Sequence, residues 1–264
     1  SIDALLQEFK RITGRTPKRL RRSRPRGPNP ETEQELWPRD KKKIWKNMIH
    51  GAVNPDLDVD TAFNHFNELF GTRSENTLLP MQVNPPNSIS CSEYVTEEDI
   101  HRSLQGKMDS TPGLDAITTE DLKINMSTFK VLINMCLWVR DIPSDWRRSV
   151  TALIPKKPST DPSDYRPITY GTVGYRVLSA ILARRIQDQL EPHACQKGFL
   201  PLDGTHEAIT VCRYLAHTKA VVSGIDVAKA FDSVSQDSIF AVCQANGISG
   251  ADLALLKNMY RDCV

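Results

Sequence analysis

The chain has 264 residues, of which 39% are hydrophobic, 25% charged and 7% aromatic. That is enough apolar side chain for one or two packed domains and too much for a wholly disordered chain. No apolar run reaches the ~20 residues a membrane-spanning helix needs, and the opening Ser1–Leu6 lacks the basic-then-apolar layout of a secretory signal. The six cysteines are scattered without a C-x-x-C pair, so a disulfide framework and a zinc knuckle are both disfavoured. A reduced, soluble, intracellular protein, nuclear or cytoplasmic, is the expectation.

The net charge of +2 conceals an asymmetry. Residues 1–50 hold 14 Lys/Arg against 6 Asp/Glu, and the remainder holds 20 against 26. Nine basic residues and no acid lie between Lys10 and Arg26. A basic arm on a mildly acidic body suits a polyanion, although a solvated tail has the same composition.

In chain order, Ile2, Leu5, Leu6, Phe9 and Ile12 recur at helical spacing and predict a helix over 1–13. Residues 15–35, rich in Arg and Pro, cannot bury a core and read as an extended arm. Trp37-Pro38 opens a second helix, with Ile44, Trp45, Met48 and Ile49 on its apolar face. Trp37 and Trp45 read as core residues rather than base-stacking platforms. Ala62, Phe63, Phe66, Leu69 and Phe70 mark the apolar face of a third helix, ending at Gly71. A Pro-containing loop follows, with a domain boundary near residue 90.

Thr96 with Asp99, and Thr118 with Asp121, have the spacing of capping boxes. The first helix presents Ile100, Leu104 and Met108 on one face; the stretch from Phe129 to Val139 is apolar throughout and predicts burial. Val150–Ile154 and Tyr165–Tyr170 read as a β-hairpin with a longer loop. A long helix is expected over Val173–Leu190, with Val177, Leu178, Ile181, Leu182 and Ile186 inward, and another over Thr205–His217. A strand follows over Ala220–Val227, then helices over Ser235–Asn246 and Ser249–Asp262. So abrupt an edge after the last helix suggests a piece of a longer protein.

The sharpest local signal is Gly224-Ile225-Asp226-Val227-Ala228-Lys229-Ala230-Phe231-Asp232. An apolar run ends in a carboxylate, then turns through small residues to an aromatic and a second acid. A strand-end carboxylate with the next backbone carbonyl can hold Mg²⁺, and paired ions are a common device for nucleotidyl transfer. A strand-terminal Asp that merely caps a turn leaves the same trace. His193 and Cys195, two apart, are too isolated to suggest a metal site.

The order of several blocks is more specific than any one of them. STPGLDAITTEDLK (110–123), IPSDWRRSVTALIPKKP (142–158), DPSDYRPITYGTVGYRVLSAILARRIQ (161–187), CQKGFLPLDGTHEA (195–208) and GIDVAKAFDSV (224–234) resemble, in sequence order, the reverse transcriptases of LINE-type, non-LTR retrotransposons. WPRDKKKIWKNMI (37–49) is similar to the upstream extension of the site-specific elements. The group II intron maturases share these fingers and palm blocks.

The resemblance implies an α/β (α+β) fold: the fingers and partial palm of a right-hand polymerase, behind a helical, basic N-terminal extension. Its limits would be 1–90 for the extension, 91–218 for the fingers with their hairpin, and 219–264 for the start of the palm. It implies RNA-directed DNA synthesis, target-primed, with template RNA, a target DNA primer, dNTP and the downstream part of the same polymerase as partners, and no membrane. By resemblance Asp226, with the Val227 carbonyl, would bind Mg²⁺ and Phe231 would exclude a ribose 2′-OH. Lys156 (or Lys157) and Arg166 would grip the triphosphate, and Gly113 and Asp115 would set a turn that tracks template. Arg19, Arg21, Arg22, Arg24, Lys41, Lys42 and Lys43 would contact RNA. Asp232 is expected to face a structural partner, and Arg184 and Arg185 a wet helix face or the template backbone. The family's aromatic-x-Asp-Asp motif does not occur in the sequence, so catalysis by these residues alone is not expected. The alternative is an RNA-binding module without catalysis.

Overall fold

The computed structural model describes residues 1–15, 57–71, 88–105, 111–156, 159–200, 202–218, 220–227, 230–231 and 234–262. The Arg-rich arm, the expected Trp37 helix and its lysines, Met108, Lys157 and Asp232 lie outside these residues.

The described residues form a mixed helix and strand fold. Helix α1 (Ile2–Thr13) starts at the Ser1 N-cap and ends at Gly14 in the left-handed conformation, a C-terminal stop that glycine adopts without a Cβ penalty. Helix α2 (Val59–Gly71) comes next in the described chain. Both expected capping boxes form: Thr96 and Asp99 open α3 (Glu97–Leu104), and Thr118 and Asp121 open α4 (Thr119–Ile124). Helix α5 (Met126–Val139) follows at once. Strands β1 (Val150–Pro155) and β2 (Tyr165–Tyr170) pair antiparallel, with Val150 opposite Tyr170 and Ile154 opposite Arg166. Helices α6 (Val173–Gln189), α7 (Gly204–His217), α8 (Gln236–Ala245) and α9 (Gly250–Tyr260) complete the order.

One core joins both ends of the chain. Leu6 and Phe9 of α1 pack with Phe129, Leu132, Ile133 and Cys136 of α5, Val177, Leu178 and Ile181 of α6, and Leu255 and Met259 of α9. The Phe9 and Phe129 rings lie 5.8 Å apart, and Phe129 lies 6.4 Å from Trp146, within the range of favourable tilted aromatic pairs. A Cβ on Gly174 would stand 2.3 Å from the Trp146 ring, so only glycine lets the indole lie against the start of α6. Polar contacts close the same seam: Lys10 pairs with Asp145, and Asp3 accepts from the Ser144 amide at 2.7 Å. A second cluster seats α2 on the hairpin through Leu57, Ala62, Phe66, Leu69, Leu153 and Tyr165.

Three expectations need correction. Ala220–Val227 is not a strand: among the described residues the only sheet is the β1–β2 pair, and the segment forms no ladder. An apolar run supplies strand propensity, but a strand exists only when a neighbour takes its backbone hydrogen bonds. Helix α5 is not buried all round, since Trp138 is 75% exposed and Val131 and Val139 are exposed too. Its continuous apolarity hid a boundary set by packing: α1, α3 and α4 cover one side. Ile12, Phe63 and Phe70, expected on apolar faces, are likewise exposed beside buried Phe9 and Phe66.

Candidate active site and template turn

The segment before α4 is closely packed against the start of α6. Residues 111–117 fold back so that the Ala116 amide donates to the Gly113 carbonyl at 3.1 Å. A Cβ on Gly113 would stand 2.6 Å from the Thr172 Cα and 2.8 Å from its nitrogen, so glycine is required for the turn to lie on the N-cap of α6. Asp115 is 3% exposed; its Oδ1 accepts from the Ile117 amide at 3.3 Å, and its Oδ2 has no hydrogen-bond partner among the described residues. Burial pushes the Asp115 carboxyl up to about 6, against the hydrogen bond from Ile117 and the attraction of Lys10. Gly113 and Asp115 therefore occupy one turn.

The hairpin brings two basic residues to one end. Lys156 follows the Pro155–Tyr165 pair, its amide donating to the Asp164 carbonyl at 2.8 Å and its Nζ to the Ser163 carbonyl at 3.1 Å. Arg166, opposite Ile154, is exposed. The Tyr165 hydroxyl donates to the Ser159 carbonyl at 2.8 Å and, with the ring buried, pins the loop between the strands.

Asp226 and Val227 end the irregular, exposed run 220–227, in which Ile225 is 92% exposed. Phe231 is 81% exposed, and its ring meets Phe199 edge-on at 6.1 Å. A carboxylate and a following carbonyl are oxygen ligands of the kind Mg²⁺ accepts. No group of three or more His, Cys, Asp or Glu that could hold a metal occurs among the described residues, so this donor set alone does not fit a two-ion centre. No hydrogen bond or ion pair links Asp226 to the hairpin among the described residues.

Arg184 and Arg185 do not form a wet face. Arg185 donates to the carbonyls of Cys91 (3.1 Å), Glu93 (2.7 Å) and Tyr94 (3.0 Å) and meets Asp99 at 3.3 Å. Arg184 donates to the Asp99 carbonyl at 3.3 Å. Burial pushes the Asp99 carboxyl up, but its hydrogen bonds from Thr96 and these two guanidinium groups outweigh it and hold it below its usual value. The same 88–95 segment meets α9, where Asp252 accepts from the Cys91 and Ser92 amides at 3.2 and 2.7 Å. Burial alone would raise the Asp252 carboxyl, yet these bonds leave it lowered.

Arg147 is a further joint that sequence reasoning missed. Its guanidinium pairs with Asp141 and donates to the carbonyls of Ile142 (3.0 Å), Asn258 (3.0 Å) and Arg261 (3.0 Å), fastening the end of α9 to the α5–β1 connection. Nothing local marks these arginines, because their partners lie 81 residues or more away in the chain for all but Asp141 and Ile142.

Comparison with known proteins shows what the chain is similar to. Residues 154–263 match the family described as reverse transcriptase (RNA-dependent DNA polymerase), a span that begins at the end of β1 and holds β2, α6 and the Asp226 segment. In this the chain is similar to the reverse transcriptases of non-LTR retrotransposons. It is similar to the Retrovirus-related Pol polyprotein of the type-2 retrotransposable element R2DM of Drosophila melanogaster, 28% identical over 86% of this chain and 22% of that protein. It is also similar to the R2 Pol polyproteins of Popillia japonica, 34% identical over 58% of this chain, and Nasonia vitripennis, 27% over 79%, each again over 22% of the relative. The chain thus spans about a fifth of the length of the curated relatives it matches. Among the described residues no helix is long and apolar enough to cross a membrane.

Proposed function

We propose that the chain is the template- and nucleotide-binding part of an RNA-directed DNA polymerase that performs target-primed reverse transcription. The observation that carries this reading is the reverse transcriptase match across residues 154–263, which includes the Asp226 segment. In this reading residues 1–90 are a basic extension, 91–218 the fingers and 219–264 the opening of the palm. The basic arm, through Arg19, Arg21, Arg22 and Arg24, and Lys41, Lys42 and Lys43 bind RNA phosphates, and the turn of Gly113 and Asp115 guides the template. Lys156 supplies a point charge and Arg166 a fork to the triphosphate of the incoming dNTP. Phe231 presents an apolar wall to C2′ of the sugar, where a hydroxyl would be desolvated without a partner.

Asp226 and the Val227 carbonyl would contribute to holding Mg²⁺, which when bound offsets charge on the reacting phosphate. With one carboxylate in reach, these residues need further ligands from the rest of the polymerase, and the DNA primer must be brought to them. A non-catalytic RNA-binding module is the second reading.

Primer extension on an RNA template separates the two. Residues 1–264 alone should incorporate dNTP at background with Mg²⁺. A polymerase of the relatives' full length carrying these residues should extend the primer, and Asp226→Ala should abolish extension. Full-length synthesis that survives Asp226→Ala would refute the assignment.

A further inference from the structure

The loop between α6 and α7 holds an aromatic residue in a costly backbone conformation. Phe199 has a φ of 62°, in the left-handed region that a bulky side chain rarely adopts. The ring is 87% exposed, so its burial does not offset that strain. The loop around it is tied to both flanking helices. Gln187 of α6 donates through Nε2 to the Phe199 carbonyl at 3.1 Å. Lys197 pairs with Glu207 of α7, and a Cβ on Gly204 would stand 2.1 Å from the Lys197 carbonyl oxygen, so the loop lies directly on the start of α7. Within the loop, Gln196 Nε2 donates to the Gly198 carbonyl at 2.8 Å. The ring carried by this tied backbone meets Phe231, in the segment after Asp226, with centroids 6.1 Å apart and planes at 85°. Both rings are largely exposed, so the pair buries little surface. What an edge-to-face pair at this distance does supply is a preferred angle between its rings.

We propose that Phe199 is a positioning residue for Phe231: its ring, carried by the tied loop, fixes the angle of the apolar wall that Phe231 presents to the incoming sugar and so sharpens the choice of deoxynucleotide over ribonucleotide. The proposal rests on the reading that Phe231 faces C2′ of that sugar. A wall that rejects a hydroxyl by contact works only while it stays in place, and an exposed ring free to change rotamer yields to the hydroxyl instead. Glycine would adopt the φ of residue 199 without strain. What phenylalanine adds there is the ring, and the ring touches Phe231. The strain at 199 therefore accompanies a contact that orients a side chain rather than one that stabilises a core.

The test is single-nucleotide extension by a polymerase of the relatives' full length carrying these residues. The readout is kcat/KM for a deoxynucleotide divided by kcat/KM for the matching ribonucleotide. Phe199→Ala should lower this ratio by about three- to tenfold, the span one aromatic pair accounts for, through a rise for the ribonucleotide rather than a fall for the deoxynucleotide. Phe199→Gly, which relieves the φ as well as removing the ring, should lower it as far, so that the loss is traced to the ring and not to a distorted loop. Phe199→Tyr keeps the ring and should hold the ratio within about twofold of the wild type. Phe231→Val should lower the ratio by itself, and adding Phe199→Ala should then lower it no further. An unchanged ratio in Phe199→Ala, an equal fall for both nucleotides, a normal ratio in Phe199→Gly, or a full further loss in the Phe231→Val background overturns the positioning role. A Phe231→Val ratio equal to the wild type refutes the sugar wall itself, and the role of Phe199 in selection falls with it. The pairing is read separately on the 264-residue chain with selectively labelled phenylalanine: nuclear Overhauser contacts between the Phe199 and Phe231 rings are expected, and their absence overturns the pairing whatever the extension assay gives.

Discussion

Asp115→Asn should stabilise the protein at neutral pH, by an amount that follows from the burial of one carboxylate. In the folded chain burial raises its pKa from 3.8 to about 6. The folded state therefore binds this proton more tightly than the unfolded state does. The group's cost is absent below the unfolded value, appears as pH rises through 4 to 6, and is complete above that. A shift of about two pH units corresponds to ~3 kcal/mol, an upper figure for what the charge costs at pH 7.5. The amide can keep the contact to the Ile117 amide through its carbonyl and, like the protonated acid, leaves one donor in the place of Oδ2. The difference in unfolding free energy between Asp115→Asn and wild type should thus be near zero at pH 4 and grow to ~2–3 kcal/mol in favour of the variant at pH 7.5. Urea denaturation followed by tryptophan fluorescence at half-unit pH intervals measures it. Taking the difference removes the opposite contribution of Asp99 and Asp252, whose lowered values make the wild type lose stability only at more acid pH. A difference that is flat with pH, or a variant less stable than wild type at pH 7.5, would refute the reasoning. A charge kept at such a cost is common where position matters more than stability.

Two other outcomes follow. Phe9→Ala should destabilise the chain by about 3–5 kcal/mol, since it empties a wholly buried ring site between α1 and α5; a loss below 1 kcal/mol in the same denaturation assay would show that α1 is not part of the core. In a full-length polymerase, Phe231→Val should raise ribonucleotide incorporation relative to deoxynucleotide incorporation in single-nucleotide extension assays, whereas an equal fall of both would make Phe231 a packing residue.

The parts of the fold that were legible in the sequence rest on short-range chemistry. Thr96 with Asp99 and Thr118 with Asp121 announce their helices because each cap closes within three residues. The hairpin is legible because both β-rich runs sit on either side of one polar loop, and its strands need only each other. Asp226 and Phe231 were picked out by motif alone, and their surroundings could not be read, because an apolar run becomes a strand only where a neighbour takes its hydrogen bonds, and 220–227 pairs with no strand among the described residues. The packing of α1 was hidden for another reason. Lys10 and Asp145 are 135 residues apart, and a basic N-terminal segment looks the same whether it is an arm or, as with its first turns, part of the core. The Arg147 joint was missed, and Arg185 was read as a wet or template-facing charge, for the same reason: a guanidinium on a helix is ordinarily a solvated charge, and only the fold supplies the carbonyls it holds.

Binding of single-stranded RNA to the 264-residue chain across a salt series tests the central claim, that this chain engages the template. Each phosphate neutralised should contribute about −0.7 to the slope of log K against log salt. The wild type should give a steep negative slope, and replacing Arg19, Arg21, Arg22 and Arg24 together by Ala should weaken binding and flatten that slope. A wild type with no measurable RNA affinity, or a fourfold variant with unchanged affinity and slope, would contradict the account.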